Sequence, residues 1–158
     1  MKTADFLSVA DQLLEPSLAI AGFQRTSAGK WHRCTGEELH AVWLQKHSVD
    51  SSFCVNLGVH YSFLEKSGST ERPSGGIVDQ TECRIMLRLT AEPTAKDQWW
   101  PLSEQGIHEV RSLFDSPGFA IFDSYRLSGP IAAIEVKEIE DGTPGLLSSM
   151  TKAGACRV

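Results

Sequence analysis

The sequence predicts an α+β domain: an N-terminal helix, an antiparallel sheet of four or five strands, and C-terminal helices packed on one sheet face. Two observations carry that reading. Apolar residues recur at three- and four-residue steps across residues 3–21 and again after Ser103. Between those stretches, runs of alternating apolar residues follow one another across short turns. Such turns are too short for helical crossovers, so neighbouring strands run antiparallel.

The first helix presents Phe6, Val9, Ala10, Leu13, Leu14, Leu18 and Ala21 on one face. Thr3 or Asp5 can cap its start, and Gly22 is placed to end it in the left-handed conformation. Pro16 lies inside the pattern and removes one backbone donor. It predicts either a kink near Leu13–Pro16 or two helices meeting there.

Strands are expected at 23–26, 30–35, 39–47, 53–63 and 83–90. Gly29 closes the first turn, Gly36-Glu37-Glu38 the second, and a polar stretch containing Asp50 the third. In the fourth strand Phe53, Val55, Leu57, Val59 and Tyr61 point one way, while Cys54, Asn56, Gly58 and His60 point the other. In the fifth, Cys83, Ile85, Leu87 and Leu89 face the core, and Arg84, Met86 and Arg88 face out. One apolar face buried and one face solvated is the expected pattern for such a sheet.

Residues 64–82 are rich in Gly, Ser, Pro and charge and read as a long loop. Of the adjacent Trp99 and Trp100, one anchors the helix layer and the other is partly exposed. Ser103 caps a second helix whose stripe is Ile107, Val110, Leu113 and Phe114. Ser116-Pro117-Gly118 stops it. Phe119, Ile121 and Phe122 form a short apolar piece, helical or extended. Residues 131–139 are ambiguous between strand and helix, and Thr143-Pro144 opens a last helix.

No repeat or linker divides the 158 residues, which read as a single domain, 1–158. The net charge of −5 excludes a general nucleic-acid binder, because phosphate contacts require a basic surface. No apolar run approaches the roughly 20 residues of a spanning helix. Acidic residues interrupt the apolar pattern of the N-terminus, unlike a signal peptide, so a cytoplasmic location is expected. Cys34, Cys54, Cys83 and Cys156 are widely spaced and read as free thiols rather than a metal or redox motif.

No catalytic motif is present, and the expectation is no catalytic residue, no metal and no cofactor. His32, His40, His47, His60 and His108 are scattered without ligand spacing. The sharpest constellation lies on the outward strand faces. Asn56 and His60 are four residues apart, as are Arg84 and Arg88. Pairing the two strands with their apolar faces together brings all four to one surface, with Met86 among them. Arginine suits carboxylate or phosphate recognition through paired donors. Gln45 extends that surface, and Trp99 and Trp100 add aromatic residues of the type enriched at binding hot spots.

Several short motifs occur in a recognisable order. Gly22-Phe23-Gln24-Arg25 follows the first helix and Trp31-His32-Arg33 lies in the next strand. Leu44-Gln45-Lys46, Val55-Asn56-Leu57-Gly58-Val59, Cys83-Arg84-Ile85 with Arg88-Leu89, and Trp99-Trp100 follow. Over roughly residues 10–115 this series resembles a family of bacterial cytoplasmic domains of unknown function. The resemblance implies no activity and no catalytic residues. Some small α+β domains of this general kind neutralise toxins as immunity proteins, and by that analogy the chain is expected to bind another protein. The acidic net charge fits steering towards a basic toxin. The alternative is a small enzyme or anion-binding sensor that uses the Arg/Asn/His face.

Overall fold

The computed structural model describes residues 3–66, 68–73, 82–92, 95–115 and 119–123. The elements expected after residue 123, at 131–139 and from Thr143, lie outside the described residues.

Helix α1 (Thr3–Ile20) runs as one element through Pro16. Proline inside a helix costs about 3 kcal/mol, because it takes away a donor and crowds the preceding turn. Phe6, Ala10, Leu14 and Leu18 are all fully buried along the helix. Burying Leu14 and Leu18 contributes about 3–6 kcal/mol, enough to carry the helix across the proline. The split into two helices therefore does not occur. The C-terminus is a Schellman motif. Phe23 N–H donates to the Leu18 carbonyl (2.9 Å) and Gly22 N–H to the Ala19 carbonyl (3.0 Å). Gly22 adopts the required positive φ of 85°.

Four strands follow as an antiparallel meander: β1 (Gln24–Ser27), β2 (Lys30–Thr35), β3 (Glu38–Lys46) and β4 (Ser52–Tyr61). Two shorter strands, β5 (Ile85–Arg88) and β6 (Trp100–Pro101), share the free edge of β4. β6 pairs with Ser52 and Phe53, and β5 with Asn56 to Val59. β6 was not expected, since two residues ending in proline carry no strand pattern. Helix α2 (Glu104–Phe114) begins at Ser103, whose Oγ accepts from Gly106 N–H at 3.2 Å, and buries Ile107, Val110 and Phe114. The short helix α3 (Ala120–Asp123) follows.

The main core lies between the helices and one sheet face. Phe53, Val55, Leu57, Val59 and Tyr61 of β4 all point into it. Phe6 of α1 meets Phe53 with ring centroids 4.9 Å apart. The two helices are joined at their ends by Ser17 Oγ, which donates to Asp115 at 2.5 Å. The β1–β2 hairpin is fastened to α1 by Asp11. Its carboxylate accepts from Gly29 N–H (2.9 Å) and from Arg25 Nη1 (3.0 Å).

The opposite face departs from expectation. It is largely covered rather than solvated, and Cys54, Asn56 and His60 are buried. Leu39, Ala41 and Trp43 form a second apolar cluster there with Cys83. Cys83 does not face the main core as its alternation with Ile85 implied. β5 begins only at Ile85, and the preceding residues turn so that the Cys83 thiol lies over Gly58. A Cβ at position 58 would stand 2.6 Å from that sulfur, so glycine is needed for the close approach. Ile85 and Leu89 enter the main core as expected.

This burial predicts a thiol-labelling pattern. Burial pushes the Cys54 thiol above its ordinary value, against the lowering influence of nearby Arg88. Cys34 is exposed. With Cys156→Ser removing the position outside the described residues, Cys34 should react quickly with a disulfide reagent at pH 8. Cys54 and Cys83 should react only after denaturant is added. Two or three fast thiols in the native protein would contradict the packing.

Candidate functional site

The outer face of β3, β4 and β5 presents the polar groups that the sequence singled out. Register places Asn56 of β4 between Trp43 of β3 and Arg88 of β5. Asn56 Nδ2 donates to Gln45 Oε1 at 3.0 Å, and the Cys54 thiol lies against both side chains. The segment leading into β6 returns over this end of the face. Its Asp97 meets Arg88 Nη1 at 2.9 Å and accepts from Trp99 Nε1 at 2.9 Å. The Arg88 guanidinium sits 5.1 Å from the Trp99 ring centroid, a cation–π contact. His47, just past β3, meets the other side of this aromatic group, edge-on to Trp99 at 4.8 Å. Its Nδ1 accepts from Val49 and Asp50 N–H, which holds the ring in place.

Gln45, Asn56, Arg88 and Trp99 are thus brought together, with His47, Asp97 and Cys54 as supports. Gln45 is exposed and Trp99 half-buried. Met86, one register step along the same face, is 62% exposed. The result is a small polar and aromatic patch with a tethered guanidinium at its centre.

The remaining predicted residues lie elsewhere. His60 and Arg84 are at the far end of the face. His60 is completely buried; its Nδ1 accepts from Arg84 N–H (3.3 Å) and its Nε2 lies 3.2 Å from the Leu64 carbonyl. That pattern makes Nε2 the protonated nitrogen. Arg84 Nε donates to the Glu65 carbonyl at 2.8 Å. The expected quartet is therefore two separate pairs, and the reading of Asn56 and His60 as solvent-facing is corrected by their burial. The cause is the returning chain, which covers both ends of the face. Trp100 is on the helix side, packed against Phe53 at 6.0 Å, while Trp99 is the partly exposed member of the pair.

One cluster was missed. On the helix side of the sheet, Arg33 of β2 and His40 and Glu38 of β3 form a chain of polar contacts. Arg33 Nε donates to His40 Nδ1 at 2.9 Å, and His40 Nε2 lies 3.4 Å from Glu38 Oε2. Glu38 and His40 are buried. The alternation of β3 does put His40 on the same face as Val42. What it does not supply is the register that sets Arg33 opposite His40.

Among the described residues no three His, Cys, Asp or Glu side chains converge as a metal site requires. No described helix is long and apolar enough to cross a membrane.

A helix-backed antiparallel meander defines an α+β domain, with a polar, aromatic-lined patch where the segment before β6 meets the outer sheet face as its candidate site. The chain belongs to the family described as a domain of unknown function (DUF4304), which matches residues 14–115. That span holds every strand among the described residues and the polar face. No curated protein and no solved structure matches the chain.

Proposed function

We propose that this domain is a non-enzymatic protein-binding module of the bacterial cytoplasm, its most concrete form being an immunity protein that neutralises a basic toxin. The observation that carries this reading is how the two arginines are used. Arg84 and Arg88 are each engaged by the chain's own acceptors, the Glu65 carbonyl and the Asp97 carboxylate. An anion sensor would need Asp97 to release Arg88 before a ligand could enter. A protein partner needs no such release. It meets Trp99, Met86 and Gln45 at the surface, with the Trp99 ring and Arg88 already held in one geometry. Rigid aromatic and arginine anchors of this kind dominate binding energy at protein interfaces.

The test is co-purification with the product of the adjacent gene, followed by titration calorimetry with Trp99→Ala and Arg88→Ala. Each substitution should weaken the complex at least tenfold. Arg88→Ala should cost only about 1 kcal/mol of stability, because Asp97 is half exposed and the pair is screened. Absence of any stable partner, or a partner indifferent to both substitutions, would sink the reading. Saturable binding of inorganic phosphate that is lost in Arg88→Ala would favour an anion ligand instead.

A further inference from the structure

On the helix side of the sheet, the Arg33–His40–Glu38 chain encloses one aromatic ring. Phe122 of α3 stacks on the His40 imidazole, with centroids 4.4 Å apart and planes 26° from parallel. The Arg33 guanidinium lies 5.2 Å from the same ring and 4.7 Å from that of Phe23. Phe23 closes the slot at 5.7 Å from Phe122. The walls are fixed independently of the ring between them. Arg33 is held by its donation to the Ala21 carbonyl (2.8 Å) and to His40 Nδ1. The imidazole accepts from Arg33 at Nδ1, and its Nε2 stands 3.4 Å from Glu38 Oε2.

Phe122 belongs to the main core cluster, yet its ring also lies against the His40 imidazole and the Arg33 guanidinium. Burying an imidazole and part of a guanidinium against it is costly by comparison with an aliphatic wall. Such walls offer what a π-face recognises, a stacked ring and a cation beside it. A second observation is the family boundary. The match ends at residue 115, so α3 and Phe122 lie beyond it, whereas Phe23, Arg33, Glu38 and His40 lie within it. The slot residues thus lie inside the matched span and the occupant outside it. Ala120 and Asp123 are exposed, while Phe119, Ile121 and Phe122 anchor this one-turn helix to the core.

We propose that Phe23, Arg33 and His40, backed by Glu38, form a binding slot for a planar aromatic ring, which this chain fills with its own Phe122 and vacates by local opening of α3. The slot is on the opposite side of the sheet from the Trp99 patch, and the proposal stands independently of the protein-binding reading.

Phe122→Ala in the full chain, titrated with phenol and with cyclohexanol, tests it. The two probes are close in size, but only phenol has a π-face. Phenol should bind the variant at least tenfold more tightly than cyclohexanol, and a further Arg33→Met change should erase the preference. The unsubstituted protein should bind phenol more weakly than the variant, by the fraction of molecules in which α3 is open, and should show the same preference over cyclohexanol. Equal or tighter binding of cyclohexanol would reveal an ordinary apolar cavity and overturn the proposal, as would failure of both probes to bind. Should Phe122→Ala not fold, amide hydrogen exchange on the unsubstituted protein decides. The amides of residues 120–123 should exchange through an opening that leaves β3 protected. Exchange of both only by global unfolding would overturn the proposal.

Discussion

Gly106→Ala should destabilise the protein by about 3 kcal/mol, although alanine is the better helix former by about 1 kcal/mol. Gly106 is in the first turn of α2, where the chain has just left β6. A Cβ there would stand 2.3 Å from the Pro101 carbonyl oxygen and 3.3 Å from the Phe53 ring. The first neighbour is backbone and cannot rotate away. Pro101 is also held in register against Ser52, and Leu102 N–H donates to the Ser51 carbonyl at 2.8 Å. Relief must come from separating α2 from the sheet, which opens the core around Ile107 and Phe53. Thermal unfolding should show a drop on the order of 10 °C. A neutral or raised melting temperature would mean that the β6–α2 junction is looser than the structure has it.

Asp11→Ala should cost about 3 kcal/mol. Asp11 is 6% exposed and accepts from two donors on the β1–β2 hairpin. Truncation leaves the buried Gly29 N–H without its acceptor, worth about 1–3 kcal/mol. The Arg25 contribution is smaller, because that side chain is half in solvent. Asp11→Asn keeps an oxygen for Gly29 and should recover about half of the loss. Urea denaturation of both variants checks the order. Equal losses for Ala and Asn would show that charge, and not the amide acceptor, fastens the hairpin.

The strands were legible because their turns are short and their alternation is regular. β2 matches its expected limits, and the limits of β1, β3 and β4 fall within two residues of expectation. The helix starts and stops were legible from local chemistry: Ser103 as a cap, Gly22 as a left-handed terminator. Which faces are buried was not. Asn56 and His60 alternate with large apolar residues, a pattern identical to that of a solvated strand. They are buried because distant segments fold over them, Cys83 and Arg84 at one end, Asp97 and Trp99 at the other. Periodicity within a strand carries no information about what returns to cover it. The same holds for Arg33 and His40. Each looks like an exposed polar residue on its own strand, and only register joins them. Pro16 shows the converse case, where a strong local signal was outweighed by burial of Leu14 and Leu18.

The sharing of one β4 edge by β5 and β6 has a consequence for the order of assembly. β3 reaches β4 across residues 47–51, whereas β5 reaches it only across residues 62–84. Closing the longer span costs about 1.4 kcal/mol more chain entropy, before any compensating contact forms. The meander from β1 to β4 therefore has the kinetic advantage, and the β4 edge waits as an open template. During that interval Val55 to Val59 present unpaired backbone groups on a strongly apolar strand, the segment of this chain most at risk of pairing with a neighbour's. The late-arriving β5 and β6 act as the chain's own protection against aggregation.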